Sequence, residues 1–224
     1  MSRPDRPAAR ELSDRLIAAE LRGSLGENVI GRRIIVLEST RSTNDFLLQM
    51  LTPEVPEGLV VFAEHQTAGR GQRGHHWASA AHLGLWFSIL LRPQLPLAES
   101  ARLTNWAAQA VATTIRSETG LDPALKPPND VYLGARKVAG VLVETKAGRA
   151  SEFTAIAGIG VNLNQTLNDL PAELQEHAGS LAMALGRTIK RGPFAVALLR
   201  ELERTRDFAS SNQPSAPTSA SHCR

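Results

Sequence analysis

The apolar residues of this chain fall into runs of strand length, and none approaches the roughly 20 consecutive residues that a membrane-spanning helix needs. Residues 33–37, 59–64 and 83–91 read as strands. Residues 131–144 read as a strand, a turn around Gly134 and a second strand with Val138, Val141 and Val143, which is a hairpin pattern. Residues 153–163 form a last strand, in which Gly158 and Gly160 mark the close approach of a backbone or a ligand. Helical spacing is longest over residues 98–119, where Leu103, Trp106, Ala107, Ala110, Val111 and Ile115 share a face and Gly120 supplies a stop. Shorter helices are predicted over 11–21 (Leu12, Leu16, Ile17, Leu21, ended by Gly23), over 44–51 (Phe46, Leu47, Met50, Leu51) and after Pro193 (Phe194, Leu198, Leu199, Leu202). The pattern predicts an α+β fold, a mixed or antiparallel β-sheet packed with three or four helices.

With 224 residues, one large domain is expected. The balance of 25 basic against 22 acidic residues is too mild for a protein whose main partner is a long polyanion, whereas a small phosphate-bearing molecule needs only a local patch. Cys223 is the sole cysteine, which excludes an intrachain disulfide and a cysteine metal cluster. The six histidines show no metal-ligand spacing, so no metal ligand is assigned. The N-terminus has no apolar stretch of signal-peptide type, and a soluble cytoplasmic protein is expected. Residues 209–224, rich in Ser, Pro and Ala, are expected to be a disordered tail.

Three segments carry chemistry. Gln66, Gly69, Arg70, Gly71, Gln72, Arg73 and Gly74 lie between two strands, and this mixture of bared backbone N–H groups and guanidinium forks suits a phosphate. A surface loop that binds nothing is the alternative. The spacing is neither GxxxxGK(S/T) nor a dinucleotide GxGxxG in a βαβ unit. In the second segment, Lys126, Asn129 and Asp130 flank Pro127 and Pro128, which reads either as a tight turn or as a presented polar group. In the third, Lys137 opens an otherwise apolar strand, either as a solvated strand-end charge or as a cation aimed at a reacting oxygen.

In order along the chain stand ESTRSTN (38–44), EHQTAGRGQRGHHWAS (64–79), GLWFSILLRP (84–93), KPPNDVYLGARKVAGVLVE (126–144) and GIGVNLNQ (158–165). In this combination the sequence resembles the catalytic domain of biotin protein ligases (biotin–acetyl-CoA-carboxylase ligases), which has a class II synthetase-like fold. The resemblance implies residues 1–29 as a lead-in with a short helix, 30–208 as the biotin/lipoate ligase-type catalytic domain and 209–224 as the tail. It also implies a two-step reaction using ATP and Mg2+, in which biotin is activated as biotinyl-5'-AMP and passed to a lysine of a biotin carboxyl carrier domain of a carboxylase. By the same resemblance Ser42, Thr43, Asn44, Gln66, Gly69, Arg70, Gly71, Lys137 and Gly140 receive biotin. Arg70, Gln72, Arg73, Gly74, Trp77, Asn129, Asp130, Lys137 and Asn162 receive ATP or the adenylate. Lys137, Arg70 and Arg73 take the catalytic roles.

The sequence departs from the family pattern in places. Gln72 and His75 replace two arginines common in the family's loop, which implies a weaker hold on the intermediate, and Pro127 replaces a frequent tryptophan. The family's C-terminal SH3-like barrel is expected to be missing, as a natural minimal form or through truncation or a frame change. The residues before Ile30 hold one recognisable helix, too little for a winged helix-turn-helix, so DNA binding is not expected. A homodimer stays open. The alternatives to a biotin ligase are a lipoate or octanoate transferase of the same fold and a degenerate biotin-binding protein.

Overall fold

The computed structural model describes residues 14–147 and 153–207. Seven strands, β1 (Arg33–Thr40), β2 (Leu59–Gln66), β3 (Gly84–Leu91), β4 (Ala124–Lys126), β5 (Asp130–Leu133), β6 (Arg136–Ala147) and β7 (Phe153–Asn162), form one sheet. Its order is β1-β2-β3-β7-β6-β5-β4. Five α-helices accompany it: α1 (Ala18–Leu25), α2 (Thr43–Met50), α3 (Ala101–Thr119), α4 (Leu181–Leu185) and α5 (Arg191–Arg204).

Strands β1 and β2 run parallel, so the chain must cross over between them, and α2 is that crossover. Every other neighbouring pair is antiparallel. Alternation along the strands sends two sets of side chains to opposite faces. Val60, Phe62, Leu85, Phe87, Ile89, Ala139, Val141, Ala157, Ile159 and Val161 join the main core with residues of α1, α3 and α5. The opposite face carries Leu59, Val61, Leu90 and Ile156, which pack beneath Leu47 of α2 in a smaller core. Helix α2 covers only part of that face, and the rest holds the cavity described below.

The first described residues are tied to the sheet and to the last helix by a buried ionic cluster. Arg191, fully buried at the start of α5, pairs through Nη1 with Glu64 Oε2 at 2.6 Å. The Leu16 amide donates to Glu64 Oε1 at 2.9 Å, and the Arg191 amide donates to Asp14 Oδ1 at 3.0 Å. His82 Nδ1 lies 3.2 Å from the same Glu64 carboxylate. Burial works to raise the Glu64 carboxyl, but the hydrogen bond and charge of Arg191, the Leu16 amide and the charge of His82 together hold it below its ordinary value of 4.5.

The helix expected over 11–21 is corrected. Among the described residues it begins at Ala18, passes through Gly23 and ends at Leu25, capped by Gly26 at φ 69°. Burial of Leu21 and Leu25 on its inner side outweighs the cost of an interior glycine, about 1 kcal/mol relative to alanine. Leu12 and the expected tail, 209–224, lie outside the described residues. Helix α3 starts at Ala101 rather than at 98, because a 3-10 turn over Leu97–Glu99 precedes it. Strand β4 and helix α4 went unpredicted, being three and five residues long. No helix among the described residues is long and apolar enough to cross a membrane.

Candidate active site

On the face that α2 leaves open, the middle of the sheet is paved with small residues. Gly140 of β6 pairs with Gly160 of β7, which pairs with Trp86 of β3; Leu142 pairs with Gly158, which pairs with Ser88. The missing side chains leave a trough, and a cavity of about 340 Å³ opens over it. The Trp77 indole lies on its floor. A Cβ on Gly160 would stand 2.5 Å from Trp77 Cε2, and one on Gly140 would stand 2.9 Å from Trp77 Cζ3. Glycine is therefore required at both positions for the ring to lie flat. Gly160→Ala is expected to lift Trp77 and to alter its near-ultraviolet dichroism while leaving helix content intact; an unchanged aromatic spectrum would show that the ring does not rest there.

One end of the cavity is rich in uncharged polar side chains. Helix α2 begins there, with the Ser42 hydroxyl accepting from the Asp45 amide. Gln66 Oε1 accepts from the Thr43 amide at 2.8 Å and from the Thr43 hydroxyl at 3.2 Å, while Gln66 Nε2 donates to Ser79 Oγ at 3.1 Å. Ser88 Oγ donates to Thr43 Oγ1 at 2.7 Å and also to Asn44 Oδ1. The Asn44 amide donates to Glu144 Oε2 at 2.8 Å. Ser42, Thr43, Asn44 and Ser88 are all buried, so their donors and acceptors are held in fixed directions.

The other end is cationic. The β5–β6 pairing slips between Val131 and Tyr132, which face Ala139 and Lys137, leaving Val138 as an extra residue. That bulge re-phases β6 and brings Lys137 to the same side as Gly140, where a Cβ would stand 3.2 Å from Lys137 Cε. Lys137 Nζ pairs with Asp130 Oδ1 at 2.6 Å and stands 5.4 Å from the Trp77 ring centre. Its backbone is pinned on both sides, its amide donating to His177 at 2.7 Å and its carbonyl accepting from the Gly179 amide at 2.9 Å. Asn129 Nδ2 donates to the Val141 carbonyl at 3.0 Å, which stitches the Lys126–Asp130 turn to β6. Arg73 and Lys126 also line the cavity, and neither forms an ion pair among the described residues.

The Gly/Arg loop closes on itself more than the sequence suggests. Trp77 donates to Gly69 at 2.9 Å and Gly71 to His75 at 2.7 Å, and a 3-10 tip over Gln72–Gly74 completes the turn, with Arg73 at φ 55° and Gly74 at φ 78°. The Gly71 N–H, one of those expected to be bared, is thus used within the loop.

Ser42, Thr43, Asn44, Gln66, Arg70, Gly71, Gln72, Arg73, Trp77, Asn129, Asp130, Lys137 and Gly140 come together around this cavity. Gly69, Gly74 and Asn162 do not line it. Gly69 lies where its Cβ would meet the Trp77 carbonyl oxygen at 2.5 Å, which makes it a closure point of the loop. Asn162 is buried, donates to the Gly179 carbonyl at 2.9 Å and accepts from Gln165, so its polar atoms serve the scaffold behind Lys137. Asp45, Ser88 and Glu144 were not assigned from sequence, because their roles depend on strand register and on contacts across long stretches of chain.

A mixed sheet with one helix-crossed parallel pair, most helices on one face and a glycine-paved cleft beside α2 on the other has the class II synthetase-like fold. The chain belongs to the biotin/lipoate A/B protein ligase family, whose model matches residues 36–162. It is 37% identical over 195 residues to the bifunctional ligase/repressor BirA of Bacillus subtilis, covering 87% of this chain and 60% of that protein. It is 35% identical over 190 residues to the biotin–(acetyl-CoA-carboxylase) ligase of Mycobacterium tuberculosis, covering 80% of this chain and 68% of that protein. Among solved structures, the Aquifex aeolicus biotin protein ligase in complex with biotin and ATP is similar, with a TM-score of 0.66 and 30% identity over 78% of this chain and 70% of that one.

Proposed function

We propose that this chain is an ATP-dependent biotin protein ligase, which activates biotin as biotinyl-5'-AMP and transfers it to a lysine of a biotin carboxyl carrier domain of a carboxylase. The observation that carries the reading is one trough lined both by the hydrogen-bonding side chains Thr43, Asn44 and Gln66 and by the cations Lys137, Arg73 and Lys126. The two ends match a ureido ring bearing a carboxylate tail and a triphosphate. The names of the Mycobacterium relative and the Aquifex complex support it.

In this reading the ring takes the fixed donors and acceptors at the α2 end, and its tail runs along the Trp77 indole, which is seated on Gly140 and Gly160, toward Lys137. A carboxylate oxygen attacks the α-phosphorus of ATP, the bond from that phosphorus to the α–β bridging oxygen breaks, and pyrophosphate leaves. Lys137 Nζ offsets charge on the oxygens shared by the carboxylate and the α-phosphate, and Asp130 keeps the ammonium aimed. The Trp77 ring and the Gly/Arg loop keep water from the mixed anhydride. The acceptor lysine, as a free amine, then attacks the acyl carbon; AMP leaves and the amine loses its proton as the amide forms. The described residues hold no cluster of three or more metal-ligating side chains, and magnesium in this reading travels with the triphosphate. The setting is cytoplasmic, and neither DNA nor a second copy enters the steps.

The test is isotope exchange between pyrophosphate and ATP, with biotin, lipoate and octanoate run separately. Exchange that requires biotin is expected. Exchange with lipoate or octanoate alone, or binding of biotin without exchange, would contradict the reading.

A further inference from the structure

Arg70, a catalytic candidate by sequence, is already committed in the folded structure. Its Nη2 pairs with Asp45 Oδ1 at 2.8 Å and with Glu144 Oε2. Two carboxylates more than neutralise one guanidinium, so this arginine is a poor partner for an incoming phosphate, whereas Arg73 and Lys126 carry no such pairing. The same Glu144 Oε2 accepts from the Asn44 amide at 2.8 Å, and the Asn44 oxygen in turn accepts from Ser88. Leu142 and Glu144 follow Gly140 at steps of two along β6, so Glu144 shares the trough's face. Asp45 sits in the first turn of α2, directly after Thr43 and Asn44.

We propose that Glu144, with Asp45, is a positioning residue that holds two parts of the site at once: it anchors the Gly/Arg loop through Arg70 and fixes the direction of the Asn44 amide. Arg70 then acts as a tether of the loop and not as a phosphate contact. The loop's hairpin is joined to the sheet and to α2 at Arg70, and the anchor ties loop order to the polar end where the ring binds. The kinetic part of this inference rests on the biotin ligase reading; the loop part does not.

Two variants separate the roles. Glu144→Gln keeps an oxygen that can accept from Asn44 and loses the charge that holds Arg70, whereas Glu144→Ala loses both. In the ligand-free protein, amide hydrogen exchange across residues 67–77 is expected to rise about fivefold in Glu144→Gln and in Asp45→Asn, with exchange in α3 and β7 unchanged. Raising the salt from about 0.05 M to about 0.5 M should speed the loop in the parent protein, and not in the doubly substituted protein. Biotin affinity should fall about tenfold in Glu144→Ala and stay near the parent value in Glu144→Gln. Loop exchange unaltered in both Glu144→Gln and Asp45→Asn, or equally salt-sensitive in the double variant, would overturn the proposal. A loop that responds as described in a protein that does not transfer biotin would leave the tether standing and remove the ligase reading.

Discussion

Replacing Lys137 by alanine is expected to slow biotinyl-adenylate formation by about 10²–10³-fold, and to weaken biotin binding far less. Lys137 stands at the cationic end of the trough, with Nζ 2.6 Å from Asp130 and both backbone groups bound to the 177–179 segment. A cation held so firmly needs little rearrangement when negative charge gathers on the α-phosphate and the attacking carboxylate, and its gain falls mainly in the transition state. Biotin's ring in this reading touches Thr43, Asn44 and Gln66 instead, which the substitution does not alter. Single-turnover kinetics with a separate binding titration would check this. Equal losses in affinity and rate would make Lys137 a ground-state contact.

The largest effect on stability is expected at Arg191. Its side chain is 0% exposed and that of Glu64 2%, so water screens neither partner. Arg191→Met would strip the buried Glu64 charge of its guanidinium and leave it only the Leu16 amide and His82, at a cost of about 3–5 kcal/mol. For a chain of this size that lowers the thermal midpoint by about 10 °C. Adding Glu64→Gln removes the stranded charge and should recover part of the loss, which separates the charge effect from simple loss of packing. The same pair sets a pH dependence. Because the folded Glu64 carboxyl titrates below 4.5, its contribution is fully present above that value and is lost as pH falls through the folded pKa. The midpoint should therefore drop on acidification below about pH 4.5, and less steeply in Glu64→Gln. Identical slopes would place the acid sensitivity elsewhere.

Most of the sheet is legible in the sequence because a buried strand needs a local run of branched and aromatic residues, and residues 59–64 and 83–91 supply one. The long helix α3 is legible through the spacing of Leu103, Trp106, Ala107 and Val111. The pairing is not: nothing in residues 33–37 says that β1 runs parallel to β2, since that follows from where α2 crosses. Gly158 and Gly160 signalled a close approach, but the occupants, Asn44 over one and Trp77 over the other, appear only once the register is set. The Gly/Arg loop and Lys137 were visible as chemistry. Whether Arg70 faces a ligand or two carboxylates depends on Glu144, 74 residues further along the chain. For Asn162 the motif alone does not give the direction of the side chain: its hydrogen bonds turn it toward Gly179 and Gln165.

The most direct measurement is the intact mass of a biotin carboxyl carrier domain after incubation with this protein, Mg-ATP and biotin, with lipoate and octanoate in parallel. The account predicts a single biotinyl addition that requires both ATP and biotin and is strongly slowed in Lys137→Ala. A carrier domain that gains no biotin while this protein still binds it, or one that gains lipoyl or octanoyl groups instead, would contradict the account.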